Sequence, residues 1–196
     1  MILAQTEIRA AVERGDIKFD PELEERQWGE ASIDLRLGLS FTKLKNVAGL
    51  TVSMASGIST IAESGLWQQK NLQIKDQFGK RETFVLEPNE FVLALTYERI
   101  WMPRNLIARV EGRSTYARVG LSMHQTAPWI QPGWNGQITL EIRNSGPLKI
   151  ELTPLIDMPC QLTFFQLTSE LAESKAYGSR STDVFQSQSA ALPRQD

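Results

Sequence analysis

Short stretches of strand length, separated by turn residues, fill most of the sequence after residue 82. They are rich in Val, Ile, Leu, Phe and Thr, most of which favour β-strands. The residues between them include Pro88-Asn89, Pro103, Gly146-Pro147, Pro154 and Pro159, which are typical of turns. Many short strands joined in this way predict an antiparallel β-sandwich or barrel with few helices. The predicted strands are TFVLE, FVLALTYERI, IARVE, QITLEIR, LKIEL and QLTFFQL.

The first part of the chain carries weaker signals. Residues 5–14 predict a short helix that ends at Gly15, because apolar residues recur there at helical spacing. Residues 31–38, ASIDLRLG, alternate apolar and polar side chains and therefore predict a strand. Residues 46–72 contain isolated apolar residues among Ser and Gly and predict an irregular excursion.

The length of 196 residues is most simply that of one domain with a core of its own. We place a single β domain at residues 1–171. From residue 172 onward the sequence is rich in Ser and Gln and has few apolar anchors. Residues 172–196 therefore predict a flexible arm that is disordered or becomes ordered on a ligand.

Composition excludes several classes of function. The net charge of −2 argues against a nucleic-acid binder, which needs a marked basic excess. A single Cys cannot form an intrachain disulfide, so a reducing cytoplasm is the expected compartment. The N-terminus lacks the apolar segment of a signal peptide, and no apolar run approaches the roughly 20 residues that span a bilayer. We expect a cytoplasmic protein that engages neither nucleic acid nor membrane.

The chain also lacks the residues of a zinc hydrolase site. It has one His, His124, and one Cys, Cys160, whereas such a site needs three protein ligands, mostly His and Cys. We therefore expect no protein-bound metal. Hydrolytic chemistry here would depend on carboxylate, hydroxyl, guanidinium and backbone groups.

The segment from Gly112 to Gly146 brings such groups together. In GQITLEIR the apolar residues fall on one face of a predicted strand, while Thr139, Glu141 and Arg143 fall on the other. Glu141 is thus either a reactive carboxylate or a surface group paired with Arg143 or a cross-strand partner.

The remaining candidates of this segment also have simple structural explanations. Ser114 is placed to cap a short helical turn, and Arg118 can be a solvated side chain. His124 is most often a packed or hydrogen-bonded structural residue. Trp129 and Trp134 are typical core or interface anchors.

Taken together, these motifs resemble the deoxycytidine triphosphate deaminase family, within the larger group that includes the trimeric deoxyuridine triphosphatases. The resemblance rests on GRSTYAR (112–118) and HQTAPWIQPGWNGQITLE (124–141). It extends to SIDLRLG (32–38), to LEPNEFVLALTYERIWMP (86–103) and to the arm, and is weakest over residues 40–75. The implied fold is a distorted β jelly roll of the dUTPase-like type with a short N-terminal helix. The implied assembly is a homotrimer whose active sites combine parts of two or three chains.

The resemblance implies that the chain deaminates dCTP to dUTP and ammonia without zinc, and so supplies dUMP and thymidylate synthesis. Glu141 matches the catalytic glutamate, which accepts a proton from water and later protonates the leaving amine. Ser114 and the backbone carbonyl of Ala127 match the groups that fix this water near cytosine C4. Arg118 matches a residue that orients Glu141. The Mg²⁺ ion enters with the triphosphate.

The resemblance also implies a set of substrate-binding residues. The segment Arg113 to Arg118 would cradle phosphates, and Thr139 to Glu141 would recognise the cytosine ring. Tyr177 and Gln188 match positions on the arm that fold over the triphosphate. The implied substrate-binding residues are Arg113, Ser114, Thr115, Tyr116, Ala117, Arg118, Gln131, Thr139, Leu140, Glu141, Tyr177 and Gln188.

Two positions depart from the family pattern. Gln131 stands where the family has an aspartate that contacts the 3′-hydroxyl and, in the triphosphatases, helps to activate water. Val184 stands where the arm of the family has a lysine for the γ-phosphate, and Arg180 is a possible substitute. Two alternatives therefore stay open: a deoxyuridine triphosphatase or dUMP-forming bifunctional deaminase, and a nucleotide-binding homologue without turnover.

Overall fold

A computed structural model describes residues 1–74 and 81–193 of the chain. Over these residues it contains mainly antiparallel β-structure and few helices, which confirms the predicted fold class. The sheets do not close into a barrel within these ranges. The helices are α1 (Gln5–Glu13), α2 (Gly57–Glu63) and α3 (Ser114–Ala117), with 3₁₀ turns at Glu25–Gln27, Met54–Ser56 and Glu173–Lys175.

All the strands that the sequence predicts after residue 82 are present. They are β5 (Phe84–Leu86), β6 (Phe91–Trp101), β7 (Leu106–Gly112), β10 (Asn135–Asn144), β11 (Ile150–Leu152) and β12 (Cys160–Gln166). The remaining strands are β1 (Lys18–Asp20), β2 (Ile33–Leu35), β3 (Leu37–Leu44), β4 (Trp67–Asn71), β8 (Leu121–Ser122) and β9 (Trp129–Ile130). The predicted N-terminal helix is also confirmed, and it ends before Gly15.

The strands form three antiparallel sheets. The largest has the order β4-β3-β6-β10-β8, with β1 also paired to β6. A second sheet has the order β2-β12-β7-β9, and a two-stranded sheet joins β11 to β5. One apolar core is shared by the sheets and includes Leu140 of β10, Phe164 of β12 and Phe41 of β3, all fully buried. Phe41 stacks on Phe84 of β5 with ring centroids 4.1 Å apart.

The single strand predicted for residues 31–38 is wrong in one respect, because the structure divides it at Arg36. Ile33 and Leu35 of β2 pair with β12, whereas Leu37 begins β3, which pairs with β6. The apolar residues of both parts are buried, as the alternation predicts. The alternation could not show that the chain passes from one sheet to another between them.

A buried ion pair marks this crossover. The Arg36 guanidinium lies 2.6 Å from the carboxylate of Glu98, which is fully buried in β6. Glu98 also accepts hydrogen bonds from the Arg36 backbone N–H (2.9 Å) and from the Gln27 amide (2.9 Å). A buried charge of this kind is tolerated only when it is paired and hydrogen-bonded.

The predicted irregular excursion at residues 46–72 contains more regular structure than the sequence indicates. It includes the turn Met54–Ser56, helix α2 and strand β4. The Trp67 indole N–H donates to the Ile61 carbonyl oxygen over 3.1 Å, and this bond fixes β4 against α2. Single apolar residues among Ser and Gly gave no periodic signal for these short elements.

The described part of the arm, residues 172–193, lies on the β domain. Ala176, Gln188 and Ala191 are buried there. Its mobility without ligand stays a prediction, and residues 194–196 lie outside the described residues. Within the ranges described, no helix has both the length and the apolar character needed to cross a membrane.

We predict that Glu98→Ala lowers the free energy of unfolding by about 3 kcal/mol, since it removes the buried partner of the Arg36 guanidinium and leaves it only the half-exposed Glu24 carboxylate. The matched control is Glu87→Ala, which removes the exposed pair between Glu87 and Lys149 and should cost at most about 1 kcal/mol. Urea denaturation measures both variants. Equal losses would show that the Arg36–Glu98 pair does not stabilise the crossover.

Candidate active site

The polar face of β10 opens on a cavity of about 390 Å³. Thr139 and Glu141 line it, while Leu140 and Ile142 on the other face lie in the core. This is the alternation that the sequence predicts for QITLEIR. Ile138, at the register shift of β10, belongs to the core and also reaches the cavity. The lining residues are Ile58, Trp67, Phe91, Leu93, Trp129, Ile130, Gln131, Trp134, Ile138, Thr139, Glu141, Tyr177, Phe185, Gln188, Ala191, Leu192 and Pro193.

The loop before β9 fixes the position of Glu141. The Gln125 backbone N–H donates to Glu141 Oε2 over 2.8 Å, and the Gln125 amide donates to the Glu141 carbonyl over 3.2 Å. The Glu141 N–H in turn donates to the Met123 carbonyl over 3.0 Å. No ion pair joins Glu141 to Arg143 in the part of the chain that the structure describes. Glu141 is therefore an oriented carboxylate rather than half of a strand-surface pair.

Ala127 lies in the same loop, two residues beyond Gln125. It is exposed and does not line the cavity. Pro128, which follows it, is anchored because its carbonyl accepts the Val110 N–H over 2.8 Å. The loop is thus tied to β10 at one end and to β7 at the other, with Ala127 between these ties.

The GRSTYAR segment forms α3, but its cap is not the predicted one. The helix begins at Ser114, and the capping residue is Arg113, whose carbonyl accepts the N–H groups of Tyr116 and Ala117. The prediction that Ser114 caps this turn is therefore wrong by one position. The Ser114 side chain makes no capping bond and is exposed, as are Thr115, Ala117 and Arg118.

The base of α3 is anchored by two polar side chains. Arg113 lies 3.0 Å from the Asp34 carboxylate of β2 and donates to the Met158 carbonyl over 3.0 Å. Burial raises the pKa of Asp34, although the Arg113 guanidinium opposes this shift. The Tyr116 hydroxyl donates to Asp157 over 2.8 Å. These contacts fix the loop and leave Ser114 and Arg118 facing outward.

The structure divides the predicted site residues into two groups. Gln131, Thr139, Glu141, Tyr177 and Gln188 line the cavity. Leu140 contributes its backbone beside them, with its side chain in the core. The residues of the GRSTYAR segment and Ala127 do not line the cavity of the same chain.

The arm closes one side of the cavity. Gln188 pairs with Gly136 in a parallel bridge, its carbonyl accepts the Gln137 N–H over 2.9 Å, and its amide bonds to the Thr139 hydroxyl. Gly136 has φ +153°, and a Cβ at this position would lie 2.7 Å from the Gln188 backbone nitrogen. A larger residue at Gly136 would therefore displace the arm.

Tyr177 packs against Trp134, with ring centroids 5.1 Å apart. Its N–H donates to the Pro132 carbonyl over 2.8 Å, which ties the start of the arm to the turn after Gln131. Gly133 of that turn permits the approach, since a Cβ there would lie 2.8 Å from the Cβ of Ala176.

Arg180, the possible substitute for the lysine that the family has in place of Val184, is already paired. The Arg180 guanidinium lies 2.9 Å from the Asp183 carboxylate, and Asp183 also accepts the Gly178 N–H over 2.9 Å. Val184 is exposed. Arg180 would have to leave Asp183 to reach a phosphate.

A family model described as dCTP deaminase-like matches residues 2–167. The dCTP deaminase of Rhodospirillum rubrum is 36% identical over 195 residues, which cover 98% of this chain and 95% of that protein. The dUMP-forming dCTP deaminase of Methanosphaera stadtmanae is 36% identical over 182 residues, covering 93% and 86%.

This chain belongs to the dCTP deaminase-like family. The crystal structure of 2'-deoxycytidine 5'-triphosphate deaminase from Agrobacterium tumefaciens has a similar fold, with a TM-score of 0.63 and 22% sequence identity. The match covers 88% of this chain and 50% of that one, so this chain spans half the length of that solved chain.

In this dCTP deaminase-like chain, the one charged side chain among the described residues that line the cavity is Glu141. A triphosphate carries several negative charges and needs cations or N–H groups to bind it. The described lining of the cavity in a single chain therefore offers few groups that could bind phosphates. The described residues contain no cluster of three or more His, Cys, Asp or Glu suited to a metal ion.

Several parts of this candidate site were not predicted from the sequence. The N–H of Gln125 is a backbone group, so no side-chain motif could indicate its bond to Glu141. Ile58 and Trp67 come from the excursion that carried no periodic signal. Ala191 and Leu192 end the arm on β6, and these apolar residues in a polar tail were a usable signal for an anchored end.

We predict that Tyr116, which anchors α3 through its hydrogen bond to Asp157, loses its contribution to stability at alkaline pH. Burial, together with the hydrogen bond to Asp157, raises the pKa of Tyr116 to about 12, above the ordinary value of 10.0. Because the neutral phenol is favoured in the folded state, this contribution to stability is complete below pH 10 and is lost between about pH 10 and 12. The free energy of unfolding of the native chain should fall more steeply in this window than that of Tyr116→Phe. Parallel slopes, measured by urea denaturation at each pH, would contradict the prediction.

Proposed function

We propose that this chain is a dCTP deaminase, which hydrolyses the exocyclic amine of dCTP to give dUTP and ammonia. The observation that carries the proposal is the Glu141 carboxylate, which lies in a cavity and is oriented by the Gln125 N–H. The family of the chain and its 36% identical relatives named dCTP deaminase support the same reaction.

The residues can perform this reaction in two proton transfers. Glu141 takes a proton from a water molecule as its oxygen attacks C4 of the cytosine ring, and a tetrahedral intermediate forms. The same carboxyl group then gives the proton to the amino nitrogen, so that the C–N bond breaks and ammonia leaves. The second proton of the water passes from the new C4 hydroxyl to N3, so that the ring keeps the water oxygen as its carbonyl. The fixed position of Glu141 on a paired strand supplies the orientation that such a reaction needs.

The polar rim of the cavity is suited to recognition of the base and sugar. Thr139 and the backbone of Leu140 lie beside Glu141 on β10, where they can meet the polar edge of cytosine. Gln131 can exchange hydrogen bonds with the 3′-hydroxyl. Tyr177 and Gln188 cover the cavity from the arm, and we infer that the arm closes over the bound nucleotide.

We infer that the functional unit is a homotrimer with shared sites. Within one chain, Ser114 and Arg118 are exposed on α3 and lie outside the Glu141 cavity. A neighbouring copy could bring its α3 segment to this cavity, and so supply Ser114 beside the water, Arg118 beside Glu141 and donors for the phosphates. The exposed indole of Trp129 at the cavity supports an interface there, since aromatic residues are enriched at interfaces.

The substrate would be the complex of dCTP with Mg²⁺, because Mg²⁺ commonly binds through substrate phosphates. Zinc has no part in the proposal, since one His and one Cys cannot build the ligand set of zinc deaminases. The buried thiol of Cys160 is consistent with a reducing cytoplasm, which is where we place the reaction.

Glu141→Gln is predicted to lower the turnover number at least ~10²-fold, since the amide keeps the shape of the side chain but cannot accept the proton. The melting temperature should barely change, because the side chain lies outside the core. Release of ammonia from dCTP measures the rate. A Gln variant with near-normal turnover would remove Glu141 from the mechanism.

Complementation tests the shared site. Ser114→Ala and Glu141→Gln should each be nearly inactive as homotrimers. If one chain supplies Glu141 and a neighbour supplies Ser114, random co-assembly in equal amounts leaves one intact site in each mixed trimer, or about a quarter of native activity. A site contained in one chain gives no recovery. Ser59→Ala, an exposed position outside the cavity, replaces Ser114→Ala in the control mixture.

A dUMP-forming bifunctional deaminase is the second candidate, because the Methanosphaera stadtmanae relative of that description is 36% identical. Gln131 argues against it. Hydrolysis at the α-phosphate needs a base to activate water, and a neutral amide has no useful basicity at pH 7.

We therefore predict that dCTP is converted to dUTP and ammonia, without pyrophosphate. Nucleotide chromatography with coupled detection of pyrophosphate measures all products. Gln131→Asp is the informative variant, since it restores a carboxylate at the cavity. Formation of dUMP and pyrophosphate by the native chain, one for one with ammonia, would replace this proposal with the bifunctional one.

A further inference from the structure

The cavity around Glu141 has a large apolar wall that the proposed reaction of dCTP leaves unexplained. Leu93 of β6 is the register partner of Glu141, so the two side chains lie next to each other on one face of the sheet. Phe91 of β6, Trp67 of β4 and Ile58 of α2 continue this wall away from β10. The arm adds Leu192.

This wall is a built feature rather than a gap at the surface. Trp67 is fixed by the hydrogen bond of its indole N–H to the Ile61 carbonyl, and Ile61 is itself buried. Leu93 packs in a cluster with Leu95 and Ala191 that is separate from the main core. The excursion and the end of the arm thus converge on β6, beside the candidate catalytic carboxylate.

The shape of cytosine decides which part of a substrate would meet this wall. The ring has a polar edge, with O2, N3 and the amino group, and an apolar edge, with C5 and C6. The polar edge requires hydrogen-bonding partners, and these lie along β10 and at Gln188. The apolar edge must then face β6, so a substituent on C5 would lie near Glu141 and point towards Leu93, Phe91 and Trp67.

We propose that Ile58, Trp67, Phe91 and Leu93 form a subsite for an apolar substituent on C5 of the cytosine ring. The substrates it would admit are 5-alkyl and 5-alkynyl derivatives of dCTP, in addition to dCTP itself. This inference rests on the proposed deamination. Ile58 and Trp67, which come from the excursion, are the residues that set how large the substituent can be.

The test is a competition between substrates in one reaction, which gives the ratio of their kcat/KM values directly. The native chain is supplied with equal concentrations of dCTP and 5-methyl-dCTP, and in a second mixture with dCTP and 5-propynyl-dCTP. A methyl group that enters an apolar subsite improves binding by up to about fourfold. We expect 5-methyl-dCTP to be consumed between about one and four times as fast as dCTP, and 5-propynyl-dCTP to be consumed as well.

Ile58→Trp narrows the subsite, and the matched control Ser59→Trp adds the same side chain at an exposed position of α2 that does not line the cavity. The first variant should lower the consumption of 5-propynyl-dCTP relative to dCTP by about tenfold, a typical cost of overpacking. The control should leave the ratio unchanged. Leu93→Ala shortens a side chain of the wall and so enlarges the subsite. It should raise the consumption of 5-propynyl-dCTP relative to dCTP.

Because dCTP is present in every mixture, the experiment distinguishes failure of the proposed subsite from failure of the proposed deamination. If dCTP is deaminated but 5-methyl-dCTP is more than about tenfold slower, or if both tryptophan variants give the same ratio, the subsite is wrong and the proposed function stands. Rejection of 5-methyl-dCTP is also the result expected if a neighbouring subunit fills the apolar end. If no dCTP is consumed, the proposed function fails and the subsite fails with it.

Discussion

The antiparallel pairing of β6 with β10 is the interaction on which the site depends. It places Leu140 and Ile142 in the core and thereby directs Thr139 and Glu141 into the cavity. Where the register shifts between Gln137 and Thr139, the Thr96 hydroxyl accepts the Ile138 N–H over 2.9 Å and replaces a bond of the ladder. A register error of one residue would move Glu141 into the core.

Three further elements contact the β6–β10 pair around the cavity. The Gln125 loop orients the carboxylate, the arm crosses the start of β10 at Gly136, and the excursion brings Trp67 to the far side of the cavity. The excursion is held by the pairing of β4 with β3, whereas the Gln125 loop and the arm attach through a few hydrogen bonds or apolar contacts. Such attachments are the parts of a fold that can open locally for a ligand while the sheets stay intact.

Among the described residues, the charged side chains around the cavity of a single chain are few, and the arginines near it are already paired or face outward. The cavity offers a carboxylate, amides and aromatic rings, whereas Arg113 is committed to Asp34 and Arg180 to Asp183. Arg118 stands exposed on a loop that Arg113 and Tyr116 anchor firmly. A rigid loop that presents Ser114 and Arg118 outward is suited to complete a site on another copy, and this is the basis of the proposed shared sites.

Much of the fold followed from the sequence because strand periodicity is a local signal. Six of the eight described strands after residue 82 and the inward and outward faces of QITLEIR were predictable for that reason, whereas the two-residue strands β8 and β9 are too short to show a period. The division of SIDLRLG at Arg36 was not, since it depends on Glu98, which is distant in the sequence. The cap of α3 was misplaced by one residue, and the Ile58–Trp67 wall was missed because it is created only by tertiary contacts.

The fate of the water oxygen tests the central claim most directly. The protein is incubated with dCTP and Mg²⁺ in water enriched in heavy oxygen, and the nucleotide products are analysed by mass spectrometry with fragmentation of base and phosphates. The account predicts dUTP with one heavy oxygen in the uracil ring, introduced at C4, and unlabelled phosphates. Heavy oxygen in a phosphate group beside an intact cytosine base would show that the chain hydrolyses the phosphoanhydride instead, and would contradict the role assigned to Glu141.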